Sequence, residues 1–552
     1  MKEFSVLIGG KAGDGIKQAG IMAAKIFGEL GYRVFLYDDY PSLIRGGHNF
    51  CIIRAKKEQV LSHNNQVDVI LALNRETIER HQHRLKKGGE IIYSSRIEGV
   101  SRGVGIGFEE IVKELGGIPI MKNSAAIGAL SALLGIERQV LDGVFEKNIN
   151  KQLDLNKEIA GRAYAEIKEV LFKVERLDSE PLPLFTGNEA IALGAVNAGL
   201  DLYIAYPMTP ATSILHFLAE QQDRLGVVTV HPENEISVAT MALGAAYAGA
   251  RTMVGTSGGG FALMTETVSF AGQAEIPILF VECQRAGPGT GVPTYTMQAD
   301  LLFVLNSGHG DFPRLVVAPG DAEEAFYLSG LALDAAWHFQ IPAFLLSDKH
   351  LSESIFSFTY PEGEREKPPM VAWKGGEGQY KRYAFTESGI SPLAFPGQKG
   401  CIVKATSYEH DEYGITTEEP EKIMKMQDKR LKKKEGLVHF LEKTEQVKVY
   451  GDRDSKTCLV CWGSTKGACV EAALELGLKV VQPLVVEPFP ERQFRQALGS
   501  SNRLIGVEVN ATGQLSRLLS SYGIHMDSTI LRYDSLPFTP DDLKGRLKEA
   551  TS

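Results

Sequence analysis

Three short stretches carry side chains whose types and spacing could serve one reaction. Ala205-Tyr206-Pro207-Met208-Thr209-Pro210 follows the apolar run 202–205 and precedes residues 212–221, where Ile214, Phe217 and Leu218 recur at helical spacing. A strand, a rigid turn and a helix are expected. Open α/β folds meet their ligands at the carboxyl ends of strands, which makes Thr209 a candidate substrate contact. His231-Pro232-Glu233-Asn234-Glu235 joins a strand expected at 227–230 to an apolar helix expected at 236–248. Pro232 suits the first helical position, so Glu233 and Glu235 fall in the first turn, where the helix dipole favours carboxylates. Gln284-Arg285 follows the apolar run 277–282. A guanidinium placed there can clamp a carboxylate through two hydrogen bonds. Each stretch has a plainer reading as well: a Pro-rich loop, a solvated helix start, a surface arginine.

The elements that must position these residues alternate between strand and helix along most of the chain. With 552 residues, several cores are required. Residues 1–178 open with a strand at 4–8, a loop Gly9-Gly10-Lys11-Ala12-Gly13-Asp14-Gly15 and a helix at 16–30. Strands are expected at 33–37, 50–54, 67–73 and 90–93, a doubly wound pattern. Residues 179–186 form a Pro-rich linker, 187–354 a second α/β domain and 355–450 an extended excursion ending in a helix near 422–441. A third α/β domain, 451–552, has strands at 457–462, 479–481, 504–508 and 525–530. In the second domain, Thr256-Ser257-Gly258-Gly259-Gly260 reads as a tight turn after the strand 253–255, open to close approach by a ligand or another backbone.

Composition excludes several classes. The net charge is −9 and no long stretch is dominated by one sign, which argues against nucleic acid or a membrane surface as principal partner. The densest basic run, 429–434, lies close to Glu418, Glu419 and Glu421 and reads as a solvated helix. No signal peptide or 18-residue apolar span is evident, and a cytoplasmic location is expected. Six cysteines make no disulfide framework in so long a chain. Cys458-Leu-Val-Cys461 has the spacing of a metal or redox pair, yet it lies in a run that reads as a buried strand. An iron–sulfur cluster needs four placed thiolates, so none is expected in this chain.

The glycine loop lacks the Gly-Lys-Ser/Thr of a P-loop and the Gly-x-Gly-x-x-Gly of a dinucleotide site. Gly13-Asp14-Gly15 with Asn49 imitates the diphosphate motif of thiamine enzymes, but the separation is long. Backbone amides at this helix start could still cradle a phosphate. Met121-Lys122-Asn123-Ser124 precedes an apolar helix at 125–134, with Asn123 and Ser124 suited to cap it.

Tyr206-Pro207 with Thr209-Pro210, Glu235 ahead of Gly244-Ala245, and Gln284-Arg285 with Pro293-Thr294 resemble, in order and spacing, the alpha subunits of 2-oxoacid:ferredoxin oxidoreductases. The likeness covers nearly the whole chain. It implies three consecutive doubly wound or open-sheet α/β domains. These are a gamma domain at 1–178, with Arg45-Gly46-Gly47-His48 typical of it, a thiamine-pyrimidine-binding domain at 187–354, and a transketolase C-terminal-like domain at 451–552. Glu508-Val-Asn510-Ala-Thr-Gly513-Gln514-Leu515 belongs to the last.

The resemblance also implies roles. Glu235 would be the catalytic carboxylate on the pyrimidine ring of thiamine diphosphate, where sharing the ring proton makes the exocyclic amine basic. Thr209, Arg285, Thr294 and Lys122 would contact substrate, Lys122 from a mobile loop and toward either coenzyme A or the 2-oxoacid. Tyr206, Pro207 and Gly258 would contact the cofactor, and no metal ligand would come from this chain. Thiamine diphosphate and Mg²⁺ would be shared with a beta subunit that alone carries [4Fe-4S] clusters. Coenzyme A would take the acyl group and ferredoxin the electrons. Among 2-oxoacids the resemblance favours 2-oxoglutarate, with pyruvate and branched-chain acids open. Two other readings stand beside this one: a self-contained thiamine decarboxylase using Asp14, and a non-catalytic nucleotide-binding scaffold.

Overall fold

The computed structural model describes residues 3–43, 46–360, 368–376 and 378–551. Arg45 of the Arg-Gly-Gly-His stretch lies outside the described residues. The chain divides into two compact units: Met1–Thr186 with Glu353–Tyr360 and Thr539–Ser552, and Gly187–Ser352 with Pro361–Phe538.

The first unit is built on one eight-stranded sheet, in the order Val104–Ile106, Leu85–Ser94, Val67–Ala72, Glu3–Lys11, His48–Lys56, Arg33–Asp39, Ile355–Ser357, Leu184–Thr186. Its first four strands run parallel and the remaining pairings are antiparallel. Glu3–Lys11 is buried from Phe4 to Gly10, which is why it reads as a continuous apolar run. The helix Ile16–Glu29 covers it, and Phe27 meets Phe4 edge to face with centroids 4.7 Å apart. Two strands here fall where the sequence suggests linker and excursion, Leu184–Thr186 and Ile355–Ser357. Three residues are too few to show a period.

Asn123 does not cap a helix. The helix Lys122–Leu133 starts after Met121, and the Asn123 amide donates instead to the Asp14 carbonyl, at 2.8 Å. Ser124 donates to Asn156 Oδ1 at 2.7 Å.

The second unit holds two sheets. The seven-stranded sheet runs Val485–Glu487, Leu315–Val317, Pro342–Asp348, Ile278–Gln284, Thr252–Thr256, Leu202–Ile204, Val228–Val230, and all but the first pairing are parallel. Phe280 stacks on Phe344 at 5.2 Å and Phe261 meets both edge on. The five-stranded sheet runs Val447–Gly451, Lys479–Pro483, Thr457–Cys461, Arg503–Glu508, Ser528–Leu531. Gln298 joins the two: its amide donates to the Trp462 carbonyl at 2.9 Å while Thr465 Oγ1 and Val509 N donate to its oxygen. Buried Glu508 accepts from Leu515 N and Ser516 N, so it anchors the start of the helix Gln514–Ser521.

The basic run 429–434 departs from its expected solvated role. Lys429, Arg430 and Lys433 on the helix Pro420–Leu441 are buried. Lys429 and Lys433 both pair with buried Glu275, and Arg430 pairs with Glu409. Removing the Glu275 carboxylate would strand two ammonium groups in a dry interior, a loss of about 3–5 kcal/mol. Cys458 and Cys461 are buried in the strand Thr457–Cys461, three positions apart and so on opposite faces, and burial pushes the Cys458 thiol up to about 12. Among the described residues, no helix is long and apolar enough to cross a membrane.

Candidate active site

Four adjacent parallel strands of the seven-stranded sheet, Val228–Val230, Leu202–Ile204, Thr252–Thr256 and Ile278–Gln284, all end at one edge. Their carboxyl ends lead into His231, the turn 205–210, Ser257 and Arg285 respectively, so residues far apart in sequence converge by topology alone.

Glu235 opens the helix Glu235–Tyr247, one residue after the Asn234 side chain, which caps the helix by accepting from Ser237 N at 3.0 Å. Pro232 is therefore outside the helix, and Glu233 lies before the cap with Oε1 accepting from Ser237 Oγ at 3.0 Å. Only one of the two expected first-turn carboxylates enters the interior. Glu235 is buried, and its Oε1 has no hydrogen-bond partner. The glycines 258–260 do not form a tight turn but start the helix Gly258–Ala274. A Cβ on Gly260 would stand 2.1 Å from Thr256 Oγ1 and 2.6 Å from Glu235 Oε1, so the missing side chain is what makes room for the Glu235 carboxyl.

Arg285 is half-buried, and its Nη1 donates to the Thr209 carbonyl at 2.8 Å. Burial lowers the guanidinium's pKa, opposed by the carboxyls of Glu282 and Glu235. One bond fixes the arginine's orientation and leaves further N–H groups free to meet an anion. The turn is itself anchored, since buried Asn188 donates to the Pro210 carbonyl at 2.7 Å and to Ser213 Oγ at 2.8 Å. Met208 Sδ lies 3.9 Å from Thr256 Oγ1. Tyr206 is exposed and packs on His231 with ring centroids 5.7 Å apart, while Pro207 is half-buried.

The chain returns to Arg285 through a bridge between Ala286 and Val292, and Ala286 N donates to the Tyr295 carbonyl. Thr294 is thereby drawn next to the arginine, buried, with its hydroxyl unpartnered. Gly258 starts its helix against Asp300, whose Oδ2 would lie 2.6 Å from a Cβ there. Lys122 belongs to the first unit, where its ammonium pairs with Asp14 Oδ1 at 2.7 Å. Asp14 Oδ2 accepts from Lys11 N at 2.8 Å, and Asn49 pairs with Gly10 in the sheet. Among the described residues, no group of three or more His, Cys, Asp or Glu side chains could hold a metal ion.

Several contributors escape a reading of the sequence. Gly260 matters because a side chain there would meet both Thr256 and Glu235, which belong to other elements. Glu282, buried with both carboxylate oxygens unpartnered, sits inside an apolar run. Its one signal is a charged residue closing an expected core strand, 277–282.

A parallel α/β sheet whose carboxyl edge carries a buried unpartnered carboxyl and an arginine defines the class: an α/β domain of the kind that receives ligands at its strand ends. Residues 193–429 match the family described as pyruvate flavodoxin/ferredoxin oxidoreductase, thiamine diphosphate-binding, and residues 5–166 match pyruvate ferredoxin/flavodoxin oxidoreductase. The chain is 32% identical to the alpha subunit of 2-oxoacid:ferredoxin oxidoreductase 2 of Aeropyrum pernix, over 99% of this chain and 98% of that one. It is 32% identical to the 2-oxoglutarate synthase subunit KorA of Methanocaldococcus jannaschii, over 55% of this chain and 82% of that one. The solved 2-oxoglutarate:ferredoxin oxidoreductase of Magnetococcus marinus, with 2-oxoglutarate, coenzyme A and succinyl-CoA bound, shares the fold over 100% of both chains, with a TM-score of 0.90 and 30% identity. The chain belongs to the family of 2-oxoacid:ferredoxin oxidoreductase alpha subunits.

Proposed function

We propose that the chain works with a beta subunit as a thiamine diphosphate- and coenzyme A-dependent 2-oxoacid:ferredoxin oxidoreductase whose substrate is 2-oxoglutarate. The observation that carries this reading is the orphaned Oε1 of Glu235, buried in space that Gly260 keeps open. An aminopyrimidine ring fits such a site, since a ring nitrogen can supply the hydrogen bond that this oxygen lacks. When bound, thiamine diphosphate supplies the nucleophilic carbon that makes loss of carbon dioxide from a 2-oxoacid feasible. Glu235 Oε1 would hold the proton at that ring nitrogen. Tyr206 and Pro207, after the strand Leu202–Ile204, and Gly258, after Thr252–Thr256, would contact the same cofactor. Arg285, braced on the Thr209 carbonyl, would hold the substrate carboxylate together with the Thr209 and Thr294 hydroxyls.

Partner dependence is supported by the surface beside Glu235. Ile236, Thr240, Met241 and Gly244 are exposed on the helix Glu235–Tyr247, whose residues after Glu235 carry no charge. A beta subunit docked there would close the site over Glu235 and would bring the Mg²⁺-diphosphate site and the [4Fe-4S] clusters. Residues 1–178 would serve as the gamma domain, 187–354 as the pyrimidine-binding domain and 451–552 as the transketolase C-terminal-like domain. Lys122 would contribute to coenzyme A or 2-oxoacid binding. The 2-oxoglutarate preference rests on the names of the Methanocaldococcus jannaschii and Magnetococcus marinus relatives.

Coexpression with the partner subunit and assay of a 2-oxoacid panel tests this reading. Coenzyme A-dependent ferredoxin reduction should be fastest with 2-oxoglutarate. Faster turnover of pyruvate or a branched-chain acid would reassign the substrate, and no turnover of any 2-oxoacid would refute the function.

A further inference from the structure

Three residues before Arg285, the strand Ile278–Gln284 carries Glu282 in a fully buried position. Among the described residues, no N–H or O–H group reaches either of its carboxylate oxygens. An ionised carboxylate without donors in a dry interior is costly, so the group is expected to carry a proton. The neighbour it can share that proton with is another carboxyl, Asp300. Asp300 is held beside it because its backbone N–H donates to Gln284 Oε1 at 3.0 Å, and on its other side it presses against Gly258, where a Cβ would meet Oδ2 at 2.6 Å. Burial pushes the Glu282 carboxyl well above the usual carboxylate range. Asp300 and then Asp348 push it further, and Arg285 pulls the other way. Burial raises Asp300 too. Asp348 is a different case, since its carboxylate accepts from Thr296 Oγ1 at 3.1 Å and Leu351 N at 3.1 Å.

We propose that Glu282 and Asp300 share a proton in the working enzyme, and that this keeps Glu282 from capturing the Arg285 guanidinium, which therefore remains turned to the substrate carboxylate. The pair are positioning residues that act through Arg285, and the inference rests on the reading of Arg285 as the carboxylate clamp. The chemistry is one of charge accounting. A neutral Glu282 leaves Arg285 a net cation with one bond, to the Thr209 carbonyl. An ionised Glu282 would give it a buried carboxylate at fixed distance, in competition with any anionic substrate.

The test uses the holoenzyme assembled with its partner subunit. Asp300→Asn places an amide donor where a carboxyl stood, which stabilises ionised Glu282, and KM for the 2-oxoacid should rise about tenfold with a smaller change in kcat. Adding Glu282→Gln to that variant removes the competing charge and should bring KM back toward the parent value, a rescue that a merely structural role does not produce. An unchanged KM in Asp300→Asn, or a double variant no better than the single one, overturns the proposal. If Arg285→Lys also leaves KM unchanged, the clamp reading itself has failed; if it raises KM while Asp300→Asn does not, only the shared proton falls. Should Asp300→Asn fail to assemble, infrared spectroscopy of the parent enzyme at neutral pH decides: a protonated carboxyl stretch that shifts in heavy water is expected, and its absence overturns the proposal.

Discussion

Glu235 Oε1 is buried without a hydrogen-bond partner, and Gly260, across the next helix start, is placed so that a methyl group there would stand 2.6 Å from it. Room for a buried carboxyl is thus kept by the absence of a side chain 25 residues away. The two residues belong to different elements, Glu235–Tyr247 and Gly258–Ala274, brought together at the carboxyl edge of the sheet.

Gly260→Ala tests that relationship. The added methyl would stand 2.1 Å from Thr256 Oγ1, so the helix start or the Glu235 side chain must move. Turnover should fall about a hundredfold, the scale expected for a misplacement of about 1 Å in a positioned catalytic group. Circular dichroism should show the helical content intact, since alanine favours a helix more than glycine does. Parent-like turnover would mean that Glu235 does not need this space.

Arg285→Lys should raise KM for the 2-oxoacid about tenfold or more, because a point charge cannot brace on the Thr209 carbonyl and present a planar pair of donors at once. Steady-state kinetics with several 2-oxoacids checks this. An unchanged KM for all of them would remove Arg285 from the substrate site.

Much of this site is legible in the sequence because its residues follow closely on apolar runs: Tyr206 and Thr209 after 202–205, Glu235 after 227–230, Arg285 after 277–282. Strand ends are where α/β folds place chemistry, so position along the pattern carries the information. What is hidden is pairing across distance. The basic run 429–434 reads as solvated because its counter-charge, Glu275, lies 154 residues from Lys429. Glu282 is hidden because a lone charge in an apolar strand says nothing of what surrounds it. The strands Leu184–Thr186 and Ile355–Ser357 exist only through their pairing with each other and with Arg33–Asp39. Pro232 suggested a helix start that Asn234 takes instead, because its side chain accepts a backbone N–H and proline's cannot.

Acid sensitivity should run through His410. The ring is buried edge on to Tyr383 at 3.8 Å, and neither nitrogen has a hydrogen-bond partner, Nδ1 standing 3.6 Å from Glu409 Oε1. Burial holds its pKa down to about 4, with Glu409 and Glu275 opposing and Arg430 and Lys429 reinforcing the shift. Between about pH 6.5 and 4 the unfolded chain binds a proton at this residue and the folded chain does not, so stability falls as pH falls through that window. His410→Phe keeps a ring and removes the titration. The stability lost between pH 7 and pH 5, measured by urea unfolding, should shrink by about 1–2 kcal/mol. An identical loss in both proteins would contradict this assignment.

The glycine loop offers a test of where the cofactor's diphosphate goes. Both Asp14 carboxylate oxygens are engaged, Oδ1 with Lys122 and Oδ2 with Lys11 N, which leaves the group poorly placed to hold Mg²⁺. Calorimetry on the isolated chain with Mg²⁺ and thiamine diphosphate should show no micromolar binding, and Asp14→Ala should change nothing. Micromolar affinity lost on Asp14→Ala would favour a self-contained decarboxylase.

If this chain supplies the carboxyl that holds the pyrimidine-ring proton, Glu235→Gln removes it. An amide of nearly the same shape occupies the space that Gly260 leaves, but it cannot share that proton. The variant, coexpressed with the partner subunit, should assemble as the parent does, as judged by size-exclusion chromatography. Its 2-oxoacid- and coenzyme A-dependent reduction of ferredoxin should fall by about a thousandfold or more. Steady-state turnover within a few-fold of the parent enzyme would show that Glu235 does not hold that proton.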